Sequence, residues 1–130
     1  MDESIVTFML QTLLIVDDDD AFLQFVSALV KTRYPFIEIQ VAFDGEQALA
    51  IDTKDDPPAV VITDIAMPRL DGNGLCNALR ERHGKRVKNI ALTATRFSVD
   101  ADFDRVLSKP FSIDALFSEI DAMLAIPCDK

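Results

Sequence analysis

The chain has 130 residues, an apolar fraction of 49% and a formal net charge of −9. This length is typical of one domain that buries about two-thirds of its unfolded surface, and the negative charge disfavours non-specific binding to nucleic acid or to an anionic membrane. We therefore expect a single domain over residues 1–130, with a core over about 12–126 and with neither nucleic acid nor membrane as a direct partner.

The amino terminus and the two cysteines contain no targeting or metal-binding pattern. Asp2 and Glu3 lie where a secretory signal would have positive charge, and the apolar run over residues 5–10 is too short for a signal core or a membrane span. We expect a cytoplasmic protein in which residues 1–10 extend the first strand or form an interface element. Cys76 and Cys128 are predicted to be a core thiol and a tail thiol.

The first strand and helix surround a run of four aspartates. Residues 13–16 are a short apolar run, and aspartates occupy positions 17–20. The segment that follows predicts a helix, because its apolar residues recur on one helical face, at Phe22, Phe25, Val26, Leu29 and Val30. We expect Asp20 to be the N-cap and Asp19 to interact with the helix dipole, which leaves Asp17 and Asp18 without a local structural role.

The next segments predict a second strand and helix and then a fully buried strand. Residues 37–41 alternate apolar and polar side chains, as in an edge strand or a strand with one open face, and Asp44 with Gln47 resembles a capping box. The apolar run over 60–63 ends on Asp64, Pro68 prevents a helix, and residues 71–72 indicate a turn. Because an aspartate after a strand is also a common turn former, this stretch alone leaves the role of Asp64 open.

The third helix is predicted to follow the turn and to end in a basic cluster at positions 80, 82, 85, 86 and 88. Cations at that end of a helix favour its dipole, so the cluster is predicted to be a solvated face. His83 is the only histidine, and we expect it to be a solvated residue at the helix end and not a catalytic base.

Two further strands follow. Residues 89–92 predict a buried strand that ends at Thr93, and residues 105–108 predict a short strand before Lys109 and Pro110. The polar segment over 96–104 leaves room for one or two helical turns. Ser112 is expected to cap the last helix, whose apolar positions lie on one face.

Alternation of strands and helices predicts an α/β fold with a doubly wound, five-stranded parallel sheet. The continuous apolar runs belong in the centre and the second and fifth strands at the edges, which favours the strand order 2-1-3-4-5. This order brings Asp17, Asp18 and Asp64 to the same crevice, at the carboxyl ends of strands 1 and 3.

Three converging carboxylates repel one another unless a cation compensates them. Mg²⁺ prefers oxygen ligands and keeps open positions for phosphate oxygens when few carboxylates bind it. Thr93 and Lys109, at the ends of strands 4 and 5, add a hydroxyl donor and an ammonium. This set of groups favours phosphoryl transfer to an aspartate, with Mg²⁺ as cofactor.

Four segments, each at the end of a predicted strand, resemble the receiver domain of two-component response regulators, a flavodoxin-like and CheY-like family, over about residues 13–124. They are the acidic pair at 17–18, the segment 63–72 around Asp64, Thr93-Ala94, and Lys109-Pro110-Phe111. The resemblance implies a phosphorelay switch and not an enzyme. The switch would receive a phosphoryl group from a sensor histidine kinase or a histidine phosphotransfer protein and would signal to an unidentified downstream protein.

The resemblance also implies roles for individual residues. Asp64 would be the phosphoacceptor, and Asp18 and Asp64 would ligate Mg²⁺ directly together with the backbone carbonyl of Ala66, while Asp17 would act through a water. Thr93 would be the switch hydroxyl and Lys109 would pair with the phosphoryl group. The Lys109–Pro110 peptide is expected to be cis.

Two departures from the family concern how phosphorylation is read out. The family usually has an aromatic residue three positions before the lysine, where this chain has Val106, and the segment between Thr93 and Lys109 is short, so the fourth crossover helix is expected to be shortened. Phe97 or Phe103 is a hypothetical substitute reporter.

The leading interpretation is a stand-alone receiver, and the same residues bear on three alternatives. An aspartyl-phosphate phosphohydrolase needs an Asp-x-Asp-x-Thr/Val motif after strand 1, and Ala21 or Phe22 occupies the fifth position here. A flavodoxin needs a phosphate loop there, and four aspartates would repel the flavin phosphate. A receiver-like interaction module with constitutive or non-standard output stays open because of Val106.

Overall fold

The computed structural model describes residues 11–52 and 56–124, and these residues form an α/β sandwich. The parallel strands are β1 (Thr12–Val16), β2 (Glu38–Ala42), β3 (Val60–Asp64), β4 (Lys88–Thr93) and β5 (Arg105–Ser108). They form one sheet in the order β2-β1-β3-β4-β5, as predicted, with the continuous apolar strands inside and β2 and β5 at the edges.

Four α-helices in the described residues cover the two faces of this sheet. They are α1 (Asp20–Arg33), α2 (Gly45–Ile51), α3 (Gly72–His83) and α4 (Ile113–Met123). One core cluster joins α1 and α4 to β1, β3 and β4, and a second joins α2 and α3 to the opposite face of β1 and β3. Successive strand residues point to opposite faces, so the doubly wound arrangement follows directly from apolar runs that are buried on both sides.

The helix starts agree with the sequence prediction except at α1. The side chain of Asp19, and not of Asp20, caps α1 by accepting from the amide of Phe22 at 3.2 Å; Asp20 is the first helical residue and accepts from Gln24 instead. The physical reason is that a capping carboxylate must precede the first turn, and α1 begins one residue earlier than predicted. The capping residues of the other three helices are as predicted or lie in the predicted turn, namely Asp44, Asp71 and Ser112.

The connection between β4 and β5 contains only a 3-10 turn, Arg96–Ser98, at the place where the sequence predicts a shortened fourth crossover helix. This confirms the shortened helix. Within residues 11–52 and 56–124, no helix is both long and apolar enough to cross a membrane. The predictions for residues 1–10 and for Cys128 lie outside the described residues.

Two predictions at the end of α3 are wrong: His83 is not solvated, and Arg80 departs from the solvated basic cluster. The side chain of His83 is 1% exposed and its Nε2 lies 2.8 and 3.0 Å from the two carboxylate oxygens of Asp52, which is also buried. The Arg80 guanidinium is 14% exposed and pairs with Asp104 at 2.7 Å. Acidic partners that are distant in sequence, one buried and one half-buried, therefore explain why these two basic groups do not face solvent.

Candidate functional site

The carboxyl ends of β1 and β3 bring three acidic side chains together. Asp17 and Asp18 directly follow β1, and Asp64 is the last residue of β3. These three residues each offer a carboxylate oxygen, and the three oxygens lie within 4.8 Å of one another. The parallel pairing of β1 with β3 positions them, because both strands end at the same edge.

Asp17 is held from both its backbone and its side chain. Its amide donates to the carbonyl of Ala42 at 3.1 Å, and its Oδ1 accepts from the amide of Asp19 at 2.9 Å. Asp17 therefore does have a local role, contrary to the expectation from sequence, since it orders the turn that leads into α1. Burial raises the pKa of the Asp17 carboxyl, the Asp19 amide opposes that shift, and the charge of Asp64 adds to it.

The other carboxylate oxygen of Asp17 is the clearest sign that this site fits a cation. Oδ2 is buried and has no hydrogen-bond partner among the described residues, although a buried polar atom normally has one. The donors that converge on this point are hard carboxylate oxygens, which suit Mg²⁺ and not a soft metal. The residues present therefore fit a magnesium ion.

Residues adjacent to Asp64 in the fold fix the position of its side chain and backbone at the end of β3. Its Oδ1 accepts from the amide of Ile65 at 2.9 Å, and its side chain is 17% exposed. The amide of Gly72 donates to the carbonyl of Ile65 at 2.8 Å, which brings the start of α3 against the strand end. A Cβ at Gly72 would lie 2.3 Å from the Asp64 carbonyl oxygen, so this close approach requires glycine.

The loop after Asp64 is anchored to the start of α2. Arg69 has a positive φ of 68°, and its guanidinium pairs with the buried carboxylate of Asp44 at 2.5 Å. The carbonyl of Leu70 accepts from the amide of Gly45 at 3.1 Å. Ala66 is exposed in this loop, two residues beyond Asp64.

Lys109 brings a positive charge to the acidic crevice from the end of β5. Its Nζ lies 3.6 Å from Oδ1 of Asp64 and 3.7 Å from Oδ2 of Asp17. The ammonium also lies over the ring of Phe22, 5.1 Å from its centroid. The Lys109–Pro110 peptide bond is cis.

The hydroxyl of Thr93 is engaged in the turn that follows β4. Its Oγ1 accepts from the amide of Thr95 at 3.1 Å and lies 2.9 Å from the Thr95 carbonyl oxygen. It also lies 3.2 Å from Oγ of Ser98. Thr93 thus ends its strand beside the acidic crevice, but its hydroxyl is bonded to the 3-10 turn.

Ser98 and Asn73 belong to the same network and were missed in the sequence. The buried Asn73 side chain donates to the carbonyl of Ser98 at 2.6 Å and accepts from the amides of Asp100 and Ala101. Asn73 therefore attaches the shortened connection to α3. A lone asparagine after a Gly and a serine in a polar loop carry no periodic signal, so no sequence pattern indicated this contact.

Three side chains bear on how phosphorylation could be read out, namely Val106, Phe97 and Phe103. Val106 is half-buried on β5, and its carbonyl accepts from Arg96 at 3.3 Å. Phe97 is 98% exposed on the 3-10 turn, whereas Phe103 is half-buried.

A family model described as the response regulator receiver domain matches residues 13–121 of this chain. Curated relatives include the response regulator MprA of Mycolicibacterium vanbaalenii, 37% identical over 119 residues, which cover 86% of this chain and 49% of the relative. MprA of Mycobacterium avium is 36% identical over 119 residues, with coverage of 86% and 50%. The chain therefore spans about half the length of these relatives.

Solved structures show the same architecture. The response regulator TrrA of Thermotoga maritima, solved in complex with Mg²⁺-BeF, is 25% identical with a TM-score of 0.73 and covers 88% of this chain and 100% of its own. The receiver domain of the Francisella response regulator 1452 is 31% identical with a TM-score of 0.71, with coverage of 87% and 95%. Chemotaxis protein CheY4 of Vibrio cholerae is 26% identical with a TM-score of 0.73, with coverage of 88% and 99%.

Proposed function

This chain belongs to the response regulator receiver domain family, and from that premise we propose that Asp64 is the phosphoacceptor of a two-component phosphorelay. The observation that carries the proposal is the position of Lys109, whose ammonium lies within 4 Å of both Asp64 and the buried Asp17. A nucleophilic carboxylate, a fixed cation and an acidic metal-binding pair are the groups that phosphoryl transfer to an aspartate requires.

The proposed transfer is a displacement at phosphorus. A carboxylate oxygen of Asp64 forms the new P–O bond while the P–N bond of a phosphohistidine donor breaks, and the histidine nitrogen takes the electron pair. Lys109 stabilises the negative charge of the phosphoryl oxygens during this step, and the hydroxyl of Thr93 donates a hydrogen bond to one of them afterwards. The Ile65 amide holds Asp64 in place through its 2.9 Å bond to Oδ1.

Magnesium is the proposed cofactor. Asp18 and Asp64 would hold it directly with the carbonyl of Ala66, and Asp17 would act through a bound water. When bound, Mg²⁺ supplies positive charge that offsets the three carboxylates and neutralises phosphoryl oxygens. The buried Oδ2 of Asp17, which has no hydrogen-bond partner among the described residues, and the Mg²⁺-BeF complex of TrrA support this assignment.

The proposed donor is a sensor histidine kinase or a histidine phosphotransfer protein. Phosphorylated Asp64 would then change the affinity of the domain for a downstream protein, so the domain acts as a signalling switch without turning over a substrate. We place this switch in the cytoplasm and assign it neither nucleic acid nor membrane as a direct partner. The proposal covers a single receiver domain over residues 1–130.

The test is exposure of the purified protein to acetyl phosphate with Mg²⁺, followed by mass spectrometry of the intact chain. Wild type is expected to gain the mass of one phosphoryl group, and Asp64→Ala is expected to gain none. An unchanged wild-type mass, or the same gain in Asp64→Ala, contradicts the proposal.

Metal binding is tested separately by thermal unfolding. Millimolar Mg²⁺ is expected to raise the Tm of wild type, because a ligand that binds only the folded state stabilises it by mass action. Asp17→Asn should reduce the shift, and Ser27→Ala, whose hydroxyl bonds only the Gln24 carbonyl of α1 among the described residues, should leave it unchanged. Equal shifts in all three proteins would rule out the acidic crevice as the metal site.

A second candidate function is a receiver-like interaction module whose output does not depend on phosphorylation. Val106 favours it, because valine on β5 has no aromatic ring that could move with the state of Asp64. In this case a captured partner would bind wild type and Asp64→Ala equally in the presence of acetyl phosphate and Mg²⁺.

A further inference from the structure

We propose that Ser98 is a positioning residue that holds the Thr93 hydroxyl away from Asp64 and thereby sets how readily the domain enters its phosphorylated state. This inference rests on the function proposed above and concerns the regulation of the same site. It arises from the short connection between β4 and β5, where a 3-10 turn takes the place of a helix.

The three polar residues at this turn form a closed set of hydrogen bonds. Ser98 donates from Oγ to the carbonyl of Thr95 at 2.6 Å, and the amide of Thr95 donates to Oγ1 of Thr93 at 3.1 Å. With the Ser98 proton committed to Thr95, the Ser98 oxygen is free to accept from Thr93 at 3.2 Å. The Thr95 carbonyl is the other acceptor within reach of Thr93, at 2.9 Å.

A threonine hydroxyl has only one proton to donate. While that proton is directed at Ser98 and the Thr95 carbonyl, it is not donated to a phosphoryl oxygen on Asp64. Entry into the phosphorylated arrangement therefore requires that Thr93 release both acceptors. Ser98 contributes to the hold in two ways, since it accepts from Thr93 and also fixes the position of the Thr95 carbonyl.

Asn73 fixes the position of the 3-10 turn through hydrogen bonds from its side chain. Its side chain is buried and bonds the carbonyl of Ser98 and two amides beyond it. Asn73 directly follows Gly72, whose amide is bonded to the residue after Asp64. The position of Ser98 is thus defined relative to the phosphoacceptor strand, and not only relative to its own loop.

The consequence is that these hydrogen bonds shift the conformational equilibrium toward the unphosphorylated arrangement. A ligand shifts a two-state equilibrium by its differential affinity, and any bond made only in the unliganded state lowers the apparent affinity. A hydrogen bond of this kind is worth about a two- to tenfold change in an equilibrium constant, toward the lower end here because Ser98 is exposed to water.

The experiment measures binding of beryllofluoride, a phosphoryl mimic, to the full chain at fixed Mg²⁺ by titration calorimetry. Ser98→Ala is expected to bind about two- to tenfold more tightly than wild type, and Ser98→Thr, which keeps the hydroxyl, is expected to restore wild-type affinity. Ser27→Ala, a serine of α1 whose hydroxyl donates to the Gln24 carbonyl of the same helix, is the matched control and should behave as wild type. In the Thr93→Ala background, Ser98→Ala should have no effect.

The outcomes separate this inference from the proposed function. Failure of wild type to bind beryllofluoride, or equal binding by Asp64→Ala, overturns the function itself. Binding by wild type that is unchanged in Ser98→Ala, or changed equally in the Thr93→Ala background, overturns the role of Ser98 alone.

A second measurement needs no substitution. The amide of Thr95 is bonded to the Thr93 hydroxyl, so its proton resonance is expected to shift and its hydrogen exchange to accelerate when beryllofluoride and Mg²⁺ are added to wild type. An unchanged Thr95 amide in the saturated protein would show that Thr93 does not leave the turn, and would overturn the proposal.

Discussion

The ammonium of Lys109 lies 3.6 Å from Oδ1 of Asp64, across the crevice between the ends of β5 and β3. Asp17 shares the same ammonium at 3.7 Å. Lys109 thus offsets part of the repulsion between two carboxylates. The same charge opposes entry of a metal cation and favours a phosphoryl group, so the two ligands respond to it in opposite directions.

The first prediction is that Lys109→Met strengthens Mg²⁺ binding and weakens phosphorylation. We expect the Kd for Mg²⁺ to fall by about two- to fivefold, the range of a partly exposed charge interaction, and the initial rate of acetyl phosphate labelling to fall. Because the chain has no tryptophan to report on binding, calorimetric titration gives the Kd for Mg²⁺. Mass spectrometry of the intact chain gives the labelling rate. Lys31→Met, an exposed lysine in the last turn of α1, is the control. A higher Kd for Mg²⁺ in Lys109→Met, or an undiminished labelling rate, would contradict the assigned role.

The second prediction concerns the contact between α3 and the phosphoacceptor strand. Gly72→Ala should destabilise the fold by about 2–3 kcal/mol, because its Cβ would lie 2.3 Å from the backbone oxygen of Asp64. Gly74→Ala should change stability by less than about 1 kcal/mol, since its Cβ meets the flexible end of Leu70 and alanine favours the helix. Urea unfolding compares the two, and an equal loss in both would show that the backbone contact is not decisive.

The third prediction is a pH dependence that arises from Asp104. Burial opposes ionisation of Asp104, but the Asn89 amide and the Arg80 guanidinium outweigh burial and hold the pKa of its carboxyl below the usual value of 3.8. Because the folded pKa is lower than the unfolded one, the stability that Asp104 contributes is complete above about pH 4 and is lost as the pH falls through the folded value.

Asp104→Asn is therefore expected to cost about 1–2 kcal/mol of unfolding free energy at pH 7, and the difference from wild type should shrink below about pH 4. Urea unfolding over a pH series measures it. Asp102→Asn is the matched control, because Asp102 pairs with Lys85 at the exposed surface, where an ion pair contributes little. A difference that persists undiminished in acid would contradict the linkage.

The fourth prediction is that His83 stabilises the fold without serving the phosphorylation site. His83→Ala would leave the buried carboxylate of Asp52 with the Arg82 contact at 3.1 Å and without its imidazole partner, at a cost of about 2–3 kcal/mol. Phosphorylation of the folded variant by acetyl phosphate should match wild type, because Asp52 follows the carboxyl end of α2 and His83 ends α3, whereas the acidic crevice lies at the carboxyl ends of the strands.

Arg86→Ala, in the same basic run but exposed, is the control for charge and should leave stability nearly unchanged. Urea unfolding and intact mass are read on the same samples. Loss of labelling in folded His83→Ala would mean that the contact between α2 and α3 communicates with Asp64.

Much of this molecule could be predicted because its signals are local. A strand that is buried on both faces must be mostly apolar, as β1 and β3 are over residues 13–16 and 60–62, and a parallel sheet collects the ends of its strands at one edge. The convergence of Asp17, Asp18 and Asp64 follows from these two facts. The cap of α1 was misplaced by one residue, since any of several adjacent aspartates satisfies the sequence preference.

Only the tertiary structure decided which polar side chains meet. His83 contacts Asp52 at a sequence separation of 31 residues. The separation is 25 residues for Asn73 and Ser98 and 24 residues for Arg80 and Asp104. A periodic pattern identifies the face of a helix, but the partner of a single polar group depends on how two elements pack, and no local pattern encodes that. The sequence by itself determined where the acidic crevice lies, and packing of the short turn against α3 determined where the Thr93 hydroxyl points.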